Sequence, residues 1–481
     1  MLNTPRPENL DQISMLLGPK GVILGSDDAV RPYLIEPRDR WQGTAAAVVR
    51  PKSTKEVSDF LKICCQHRIG VIPISGGTGL VGGQTLPDGP LPILLSLERM
   101  NDIRAVLPDD GALIAEAGCI LADIKSAADK VGRLFPLSLA SEGTCRIGGN
   151  LATNAGGVQV LRYGNARDLV LDVEAVLADG VILNGTSTLR KDNMGFDLRH
   201  LLIGSEGALG VITAASLKLF PKPGEVVTGM LSVSGPREAL RLLHTLKDRL
   251  GDEITAFELI HSRGLSFIRR FHIEFRDPLP GDPEWRVLFE LIGPSGGGLS
   301  TLFETIMVEL FESGLAYDGV VAQSEAQREA IWWVRETIPE CNRKVGAVAS
   351  TDISIPMSSI PGFISEGAKV VSKIDPELLI NCFGHVGDGN LHYNVFPGKG
   401  RGRDDYDNLR PIVKRNIHDL VHEMGGSVSA EHGVGRLKLD DLSRYGDPGS
   451  LAAMRAIKTA LDPLGILNPG AVVPMTAETT H

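Results

Sequence analysis

The stretch Ser75-Gly76-Gly77-Thr78-Gly79-Leu80-Val81-Gly82-Gly83 restricts the folds open to this chain more than any other. It follows Val71-Ile72-Pro73-Ile74, an apolar run that reads as a short buried strand, and it contains a literal GxGxxG. In a doubly wound nucleotide-binding fold a helix begins at such a loop, with its N-terminus on a pyrophosphate. Here Pro87, Gly89, Pro90 and Pro92 follow instead. Proline removes a helix donor and clashes with the preceding turn, so that helix cannot form. The doubly wound arrangement is excluded. What remains is an anion-binding loop whose backbone N–H groups face a ligand. A plain tight turn needs one or two glycines, and this segment has five.

Two further stretches share this character. One is Glu142-Gly143-Thr144-Cys145-Arg146-Ile147-Gly148-Gly149-Asn150-Leu151-Ala152-Thr153-Asn154-Ala155-Gly156-Gly157. Its small residues let a flat ligand lie directly on the backbone, and Thr144, Thr153 and Asn154 offer polar contacts. Tyr163-Gly164-Asn165-Ala166-Arg167-Asp168 follows it. The other is Gly204-Ser205-Glu206-Gly207-Ala208-Leu209-Gly210-Val211-Ile212, where β character resumes. One such loop alone is a weak signal. Three in one domain, all beside strands, point to a phosphate-bearing cofactor.

A chain of 481 residues spans roughly three domain lengths. The first half alternates helix and strand. Val57, Phe60, Leu61 and Cys64 form one face of a helix from Thr54 to Arg68, capped by Ser53 or Thr54 and ended by Gly70. Val170 to Leu177 and Val181-Ile182-Leu183 flank Ala178-Asp179-Gly180 as a hairpin. Pro221-Lys222-Pro223-Gly224 marks a boundary. Beyond it, strands and helices, among them a Trp-containing helix from Ser324 to Glu336, suggest an α+β domain with helices on a largely antiparallel sheet. The domains expected are 1–222, 223–450 and a segment 451–481 returning to the first.

The net charge of −10 argues against a general affinity for nucleic acid or acidic lipid. No apolar run reaches the ~18 residues of a membrane span, and no basic-then-apolar leader is evident at the N-terminus. Six cysteines, Cys64 and Cys65 adjacent and the other four scattered, without a CxxC pair suggest a reducing compartment, the cytoplasm, and buried thiols.

Three of the 11 histidines fall in Gly384-His385-Val386-Gly387-Asp388-Gly389-Asn390-Leu391-His392 and Ala430-Glu431-His432-Gly433-Val434-Gly435. Neutral imidazole with carboxylate suits a borderline divalent cation such as zinc. On an unbroken strand, His385 and His392 would face opposite sides. Gly387-Asp388-Gly389 breaks the strand, so both can converge. Adjacent residues rarely aim at one point, so Glu431 and His432 should have different roles. His418 and His422, spaced i, i+4, lack a third ligand nearby and read as exposed helix residues.

The three loops, in this order, resemble the FAD-binding domain of the vanillyl-alcohol-oxidase flavoprotein superfamily. The His385, His392 and Glu431-His432 set, with Asp462 to Gly470, resembles its D-2-hydroxy-acid dehydrogenase branch. That branch includes D-2-hydroxyglutarate and D-lactate dehydrogenases and the glycolate oxidase flavoprotein subunit. The resemblance covers about residues 40 to 475. It implies a two-lobed PCMH-type FAD-binding domain and a cap domain.

For the cofactor it implies contacts from Ser75, Gly76, Gly77, Thr78, Gly79 and Leu80. The second stretch would contribute Glu142, Gly143, Thr144, Gly148, Gly149, Ala152, Thr153, Asn154, Gly156 and Gly157. Gly164, Glu206, Gly207, Val211, Ile212 and Asn468 complete the set. No histidine lies between His67 and His200, and the surroundings of Cys145 resemble the noncovalent branch, so noncovalent FAD is expected.

By the same resemblance His385, His392 and Glu431 ligate zinc or a similar divalent metal, and His432 is the catalytic base. A 2-hydroxy acid would chelate the metal, lose its hydroxyl proton to His432 and pass hydride to flavin N5. Arg335 would pair with a carboxylate, unless it is a surface arginine paired with Glu336 or Glu329, and Asn394 would hydrogen-bond the substrate. Where 2-hydroxyglutarate enzymes carry a threonine and a lysine, this chain has Pro339 and Ser350. Electron-transfer flavoprotein or a quinone-linked carrier is the expected acceptor, and a homodimer the expected assembly. The competing reading is a transferase like the alkyl-dihydroxyacetone-phosphate synthases, which use FAD without net redox change.

Overall fold

The computed structural model describes residues 1–38 and 40–475; positions 39 and 476–481, within the expected first domain and C-terminal segment, lie outside the described residues. The chain divides into two compact units. One comprises Met1–Gly157, Gly164–Lys222 and Glu431–His481, the other Val158–Tyr163 and Pro223–Ala430.

The strands of the first unit are, in chain order, β1 (Val22–Leu24), β2 (Ala47–Val49), β3 (Val71–Ile74), β4 (Ile93–Ser96), β5 (Ile103–Leu107), β6 (Ala112–Glu116), β7 (Arg133–Leu134), β8 (Val170–Val176), β9 (Ile182–Leu183), β10 (Val211–Lys218) and β11 (Phe220–Pro221). The first four form a sheet in the order β1-β2-β4-β3, with β2 and β3 both parallel to β4. Alternation along these strands divides their side chains. Val49, Val71, Ile93 and Leu95 pack with the helix Thr54–His67, while Val48, Ile72, Ile74 and Leu94 form a second cluster. Val57, Phe60, Leu61 and Cys64 are all buried on the helix, each large side chain contributing about 1.5–3 kcal/mol. Ser53 caps this helix by accepting from the Glu56 amide. Its end differs from expectation: Arg68, not a glycine, adopts the left-handed conformation at φ 54°.

The second sheet, β5-β6-β10-β8-β9, is antiparallel throughout, and β8 and β9 form the expected hairpin with Ala175 opposite Leu183. β7 and β11 pair separately. The six cysteines are free, and all but Cys65 are buried.

The second unit is built on β12 (Glu225–Val233), β13 (Ile254–His261), β14 (Trp285–Gly293), β15 (Asp318–Val321), β16 (Ala349–Ser354), β17 (Leu379–Gly384) and β18 (Asn390–Phe396). These form one antiparallel sheet, β15-β12-β14-β13-β17-β18-β16, which confirms the α+β class. Val287, Phe289, Leu391 and Tyr393 face one way, into a core shared with helices Pro236–Leu250, Leu299–Glu312, Ile360–Ile374 and Arg410–Glu423. Met230, Ile260, Leu288 and Phe383 face the other, toward helices Ser262–Phe271 and Glu325–Val345. That second face carries the polar residues described below.

Two expectations fail in this unit. The helix expected to end at Glu336 continues to Val345 through Pro339. Burial of Thr337, Ile338, Cys341 and Asn342 past Glu336 outweighs the backbone bond a proline forfeits. His418 is not exposed: it is 2% accessible, because its side of the helix packs inward with Ile417 and Val421, whereas His422 is exposed.

Candidate active site

In the first unit, β3 delivers Ser75 to the start of its glycine loop. The Ser75 hydroxyl accepts from the Gly149 amide at 3.0 Å, which joins the first loop to the second. The approach is close enough to require glycine on both sides. A Cβ at Gly76 would lie 2.6 Å from the Thr144 carbonyl oxygen, and one at Gly149 would lie 2.7 Å from the Ser75 Cβ. Among the described residues, no protein group accepts from the amides of Gly76, Gly77, Thr78, Gly79 and Leu80. Amides without a protein acceptor on a close-packed glycine backbone are a donor set that suits a phosphate-bearing cofactor, so these residues fit FAD.

The other loop residues have varied contacts. Glu142 pairs with Lys125 at 2.6 Å, and the Thr144 and Thr153 hydroxyls donate to the Ser141 and Gly149 carbonyls. Asn154, at φ 50°, accepts from the Arg167 amide. Nothing lies within 4 Å of where a Cβ would stand at Gly77 or Gly143. Ala152 accepts from the Glu206 amide at 2.7 Å. Gly148 packs on Ala117, Gly164 on Asp168 and Gly207 on Pro73. Val211 and Ile212 open β10, both buried. The C-terminal segment pairs Leu467 with Val71, and Asn468 donates to the Glu206 carbonyl at 2.9 Å while accepting from Arg436.

The Glu431-His432 loop is held within the same unit. The Glu431 carboxylate accepts from the Gly157 amide at 3.2 Å, and Glu431 and His432 offer ligand atoms within 4.8 Å of each other. Just downstream, the amides of Val434 and Gly435 donate to the Glu206 carboxylate at 2.7 and 3.0 Å. Burial pushes the Glu206 carboxyl above its usual pKa, and these two amides oppose the rise.

In the second unit, Gly384 ends β17 and the turn through Gly389 leads into β18. This break brings the two histidines together. Their rings meet edge to face with centroids 5.7 Å apart, and their ring nitrogens lie within 4.8 Å. Asp352 on β16 is the register partner of His392, and its carboxylate stands 3.9 Å from His392 Nδ1. Asn390 donates to the same carboxylate at 3.0 Å. The Ala430 amide donates to the Asp352 carbonyl, and Glu431 is the next residue in the chain.

Arg335 is buried, so the surface pairing with Glu336 or Glu329 does not hold. Its Nε donates to Glu258 on β13 at 2.6 Å, and its guanidinium lies 4.8 Å from the centre of the Phe383 ring. The other Glu258 oxygen meets His385 Nδ1. Burial raises the Glu258 pKa, but His385 and Arg335 outweigh it and hold the carboxyl well below the usual range. Asn394 is buried and pairs in register with Ser350 and Asn381. Sequence reasoning missed Glu258 and Asp352. The signal for Glu258 was a lone charge inside the apolar run Ile254-Thr255-Ala256-Phe257-Glu258-Leu259-Ile260.

A flavin cradle in one unit and a histidine-arginine-carboxylate face in the other define a flavoprotein oxidoreductase. Residues 45–186 match the model of an FAD binding domain, and residues 222–472 match that of the C-terminal domain of FAD linked oxidases. The chain belongs to the FAD-linked oxidase family. It is 35% identical to a mitochondrial D-2-hydroxyglutarate dehydrogenase of Arabidopsis thaliana over 437 residues, 90% of this chain and 76% of that protein. It is 30% identical to D-2-hydroxyglutarate dehydrogenase of Stutzerimonas stutzeri over 466 residues, covering 97% and 99% of the two chains. The solved structure of p-cresol methylhydroxylase shares the fold, with a TM-score of 0.77, 17% identity and 98% of each chain covered.

Proposed function

We propose that the protein oxidises a D-2-hydroxy acid to the 2-oxo acid with noncovalent FAD and a zinc-like cation. The observation that carries this reading is the face on which the rings of His385 and His392 meet, with His385 sharing Glu258 with buried Arg335. A cation beside a fixed guanidinium suits a carboxylate with a hydroxyl on the neighbouring carbon. The relatives named for 2-hydroxyglutarate support the same class.

When bound, FAD supplies a hydride acceptor, and the cation supplies Lewis acidity toward the hydroxyl and carboxylate. His385, His392 and Glu431 would hold the cation; their imidazole and carboxylate donors fit zinc. Chain continuity supports Glu431, because Ala430 is bonded to Asp352, the partner of His392. His432 would take the hydroxyl proton. Glu258 accepts only from the Nε of Arg335 among its nitrogens, which leaves the terminal amino groups for a carboxylate. Asn394 would hydrogen-bond the substrate from β18.

Burial raises the Cys145 thiol pKa and so disfavours the thiolate that covalent attachment needs, which supports noncovalent FAD. Electron-transfer flavoprotein or a quinone-linked carrier would take the electrons. Six free thiols suit the cytoplasm or another reducing compartment, and no described helix is long and apolar enough to cross a membrane. The test is turnover with an artificial acceptor dye and a panel of D- and L-2-hydroxy acids. Turnover of D-acids alone is expected; activity with neither enantiomer overturns the reading.

A further inference from the structure

Glu258 and Glu290 lie on the same face of the same sheet, and both bond to the helix Glu325–Val345. Glu290 is 3% exposed and accepts from Thr228, Arg328 and Trp332, each at 2.9 Å. Those three donors account for it as a fastener of helix to sheet. Glu258 has no exposed surface and divides its oxygens differently. One accepts from Arg335 Nε at 2.6 Å, and the other meets His385 Nδ1.

A buried ionised carboxylate is costly, and an apolar residue of similar size would pack such a strand as well or better. Stability alone therefore gives a poor account of Glu258. Its two partners give a better one. A neutral histidine carries its proton on one ring nitrogen and a lone pair on the other, and an acceptor at one nitrogen decides which. We infer that Glu258 is the positioning residue of the site. It holds the His385 proton on Nδ1, so that Nε2 presents its lone pair to the cation. Its other oxygen fixes the guanidinium of Arg335, aims its free amino groups at the substrate carboxylate and offsets its charge beside the metal. This inference rests on the proposed metal site.

Removing the negative charge has a definite sign. The imidazole becomes a weaker ligand, and the positive charge of Arg335 repels the incoming cation. Both effects weaken metal binding.

The test is zinc affinity, measured by competition with a chromophoric chelator on the full-length, FAD-loaded protein. Glu258→Gln is expected to weaken zinc binding by roughly 10- to 100-fold, the usual worth of such an outer partner, with FAD content unchanged. Glu290→Gln, an equally buried charge loss that touches no histidine, is expected to leave zinc affinity unchanged. A second measurement needs no variant at Glu258. In metal-free protein labelled with 15N-histidine, the His385 signal, assigned by its loss in His385→Ala, should show the proton on Nδ1. Should Glu258→Gln not fold, this measurement decides. Wild-type zinc binding with unchanged affinity in Glu258→Gln, or a proton found on Nε2, overturns the inference alone. Wild-type protein that takes up no zinc overturns the metal reading and this inference with it.

Discussion

His392 is held from two sides, by Asp352 3.9 Å from its Nδ1 and by the ring of His385. Replacing it with alanine would remove a proposed ligand but no residue of the glycine loops. His392→Ala is therefore expected to lose bound zinc and most activity while retaining FAD; elemental analysis that finds the metal content unchanged refutes its role as ligand. In the proposed mechanism His432 would be the base that takes the hydroxyl proton. His432→Ala should keep both FAD and metal and slow flavin reduction by roughly 10²–10⁴-fold, the usual contribution of a general base. Stopped-flow reduction at the wild-type rate would remove His432 from the mechanism. The meeting of His385 and His392 was legible in the sequence, because a glycine-broken turn between two histidines announces itself locally. Glu258 was not, because its partner His385 lies 127 positions away and only strand order joins them. His418 misled for a related reason: spacing places it on a helix, but packing decides which face is covered.

At the scale of elements, Glu174 on β8 links strands of the second sheet. It accepts from Arg104 on β5, Thr213 on β10 and Thr54 at the helix start. Burial raises its pKa, but these hydrogen bonds outweigh it and hold the carboxyl below its usual value. A depressed folded pKa contributes stability that is present above the unfolded value and lost as pH falls through the folded one. Acid titration should therefore destabilise the wild type below about pH 4.5 more steeply than Glu174→Gln, as read by thermal melts across pH; parallel curves would show that the network carries no linkage. The helix Glu325–Val345 carries Arg335 and is expected to bear on specificity. Pro339 stands one turn after Arg335 with neither hydroxyl nor N–H, and Ser350 is the register partner of Asn394. Ser350→Lys should raise the preference for 2-hydroxyglutarate over lactate by roughly 10- to 150-fold, the value of one charge-assisted hydrogen bond. An unchanged ratio of kcat/KM values would place the distal carboxylate elsewhere. The extent of this helix was hidden from the sequence, since proline argues locally for a stop and only buried residues beyond it argue otherwise.

For the whole molecule, alternation of apolar residues and the proline-glycine break at 221–224 made the α+β character legible, as did the exclusion of a doubly wound fold. Strand order in the seven-stranded sheet was not legible, because β13 pairs with β17 across more than a hundred residues. We propose that flavin and a metal-dependent D-2-hydroxy acid site work together in one chain. Anaerobic stopped-flow of the flavin absorbance tests it most directly, with as-purified, chelator-treated and zinc-restored protein mixed with D- and L-2-hydroxyglutarate. The expected result is bleaching by the D-enantiomer alone, lost on chelation and recovered with zinc. Bleaching that survives metal removal, or that is equal for both enantiomers, would rule out a metal-dependent site selective for the D-acid.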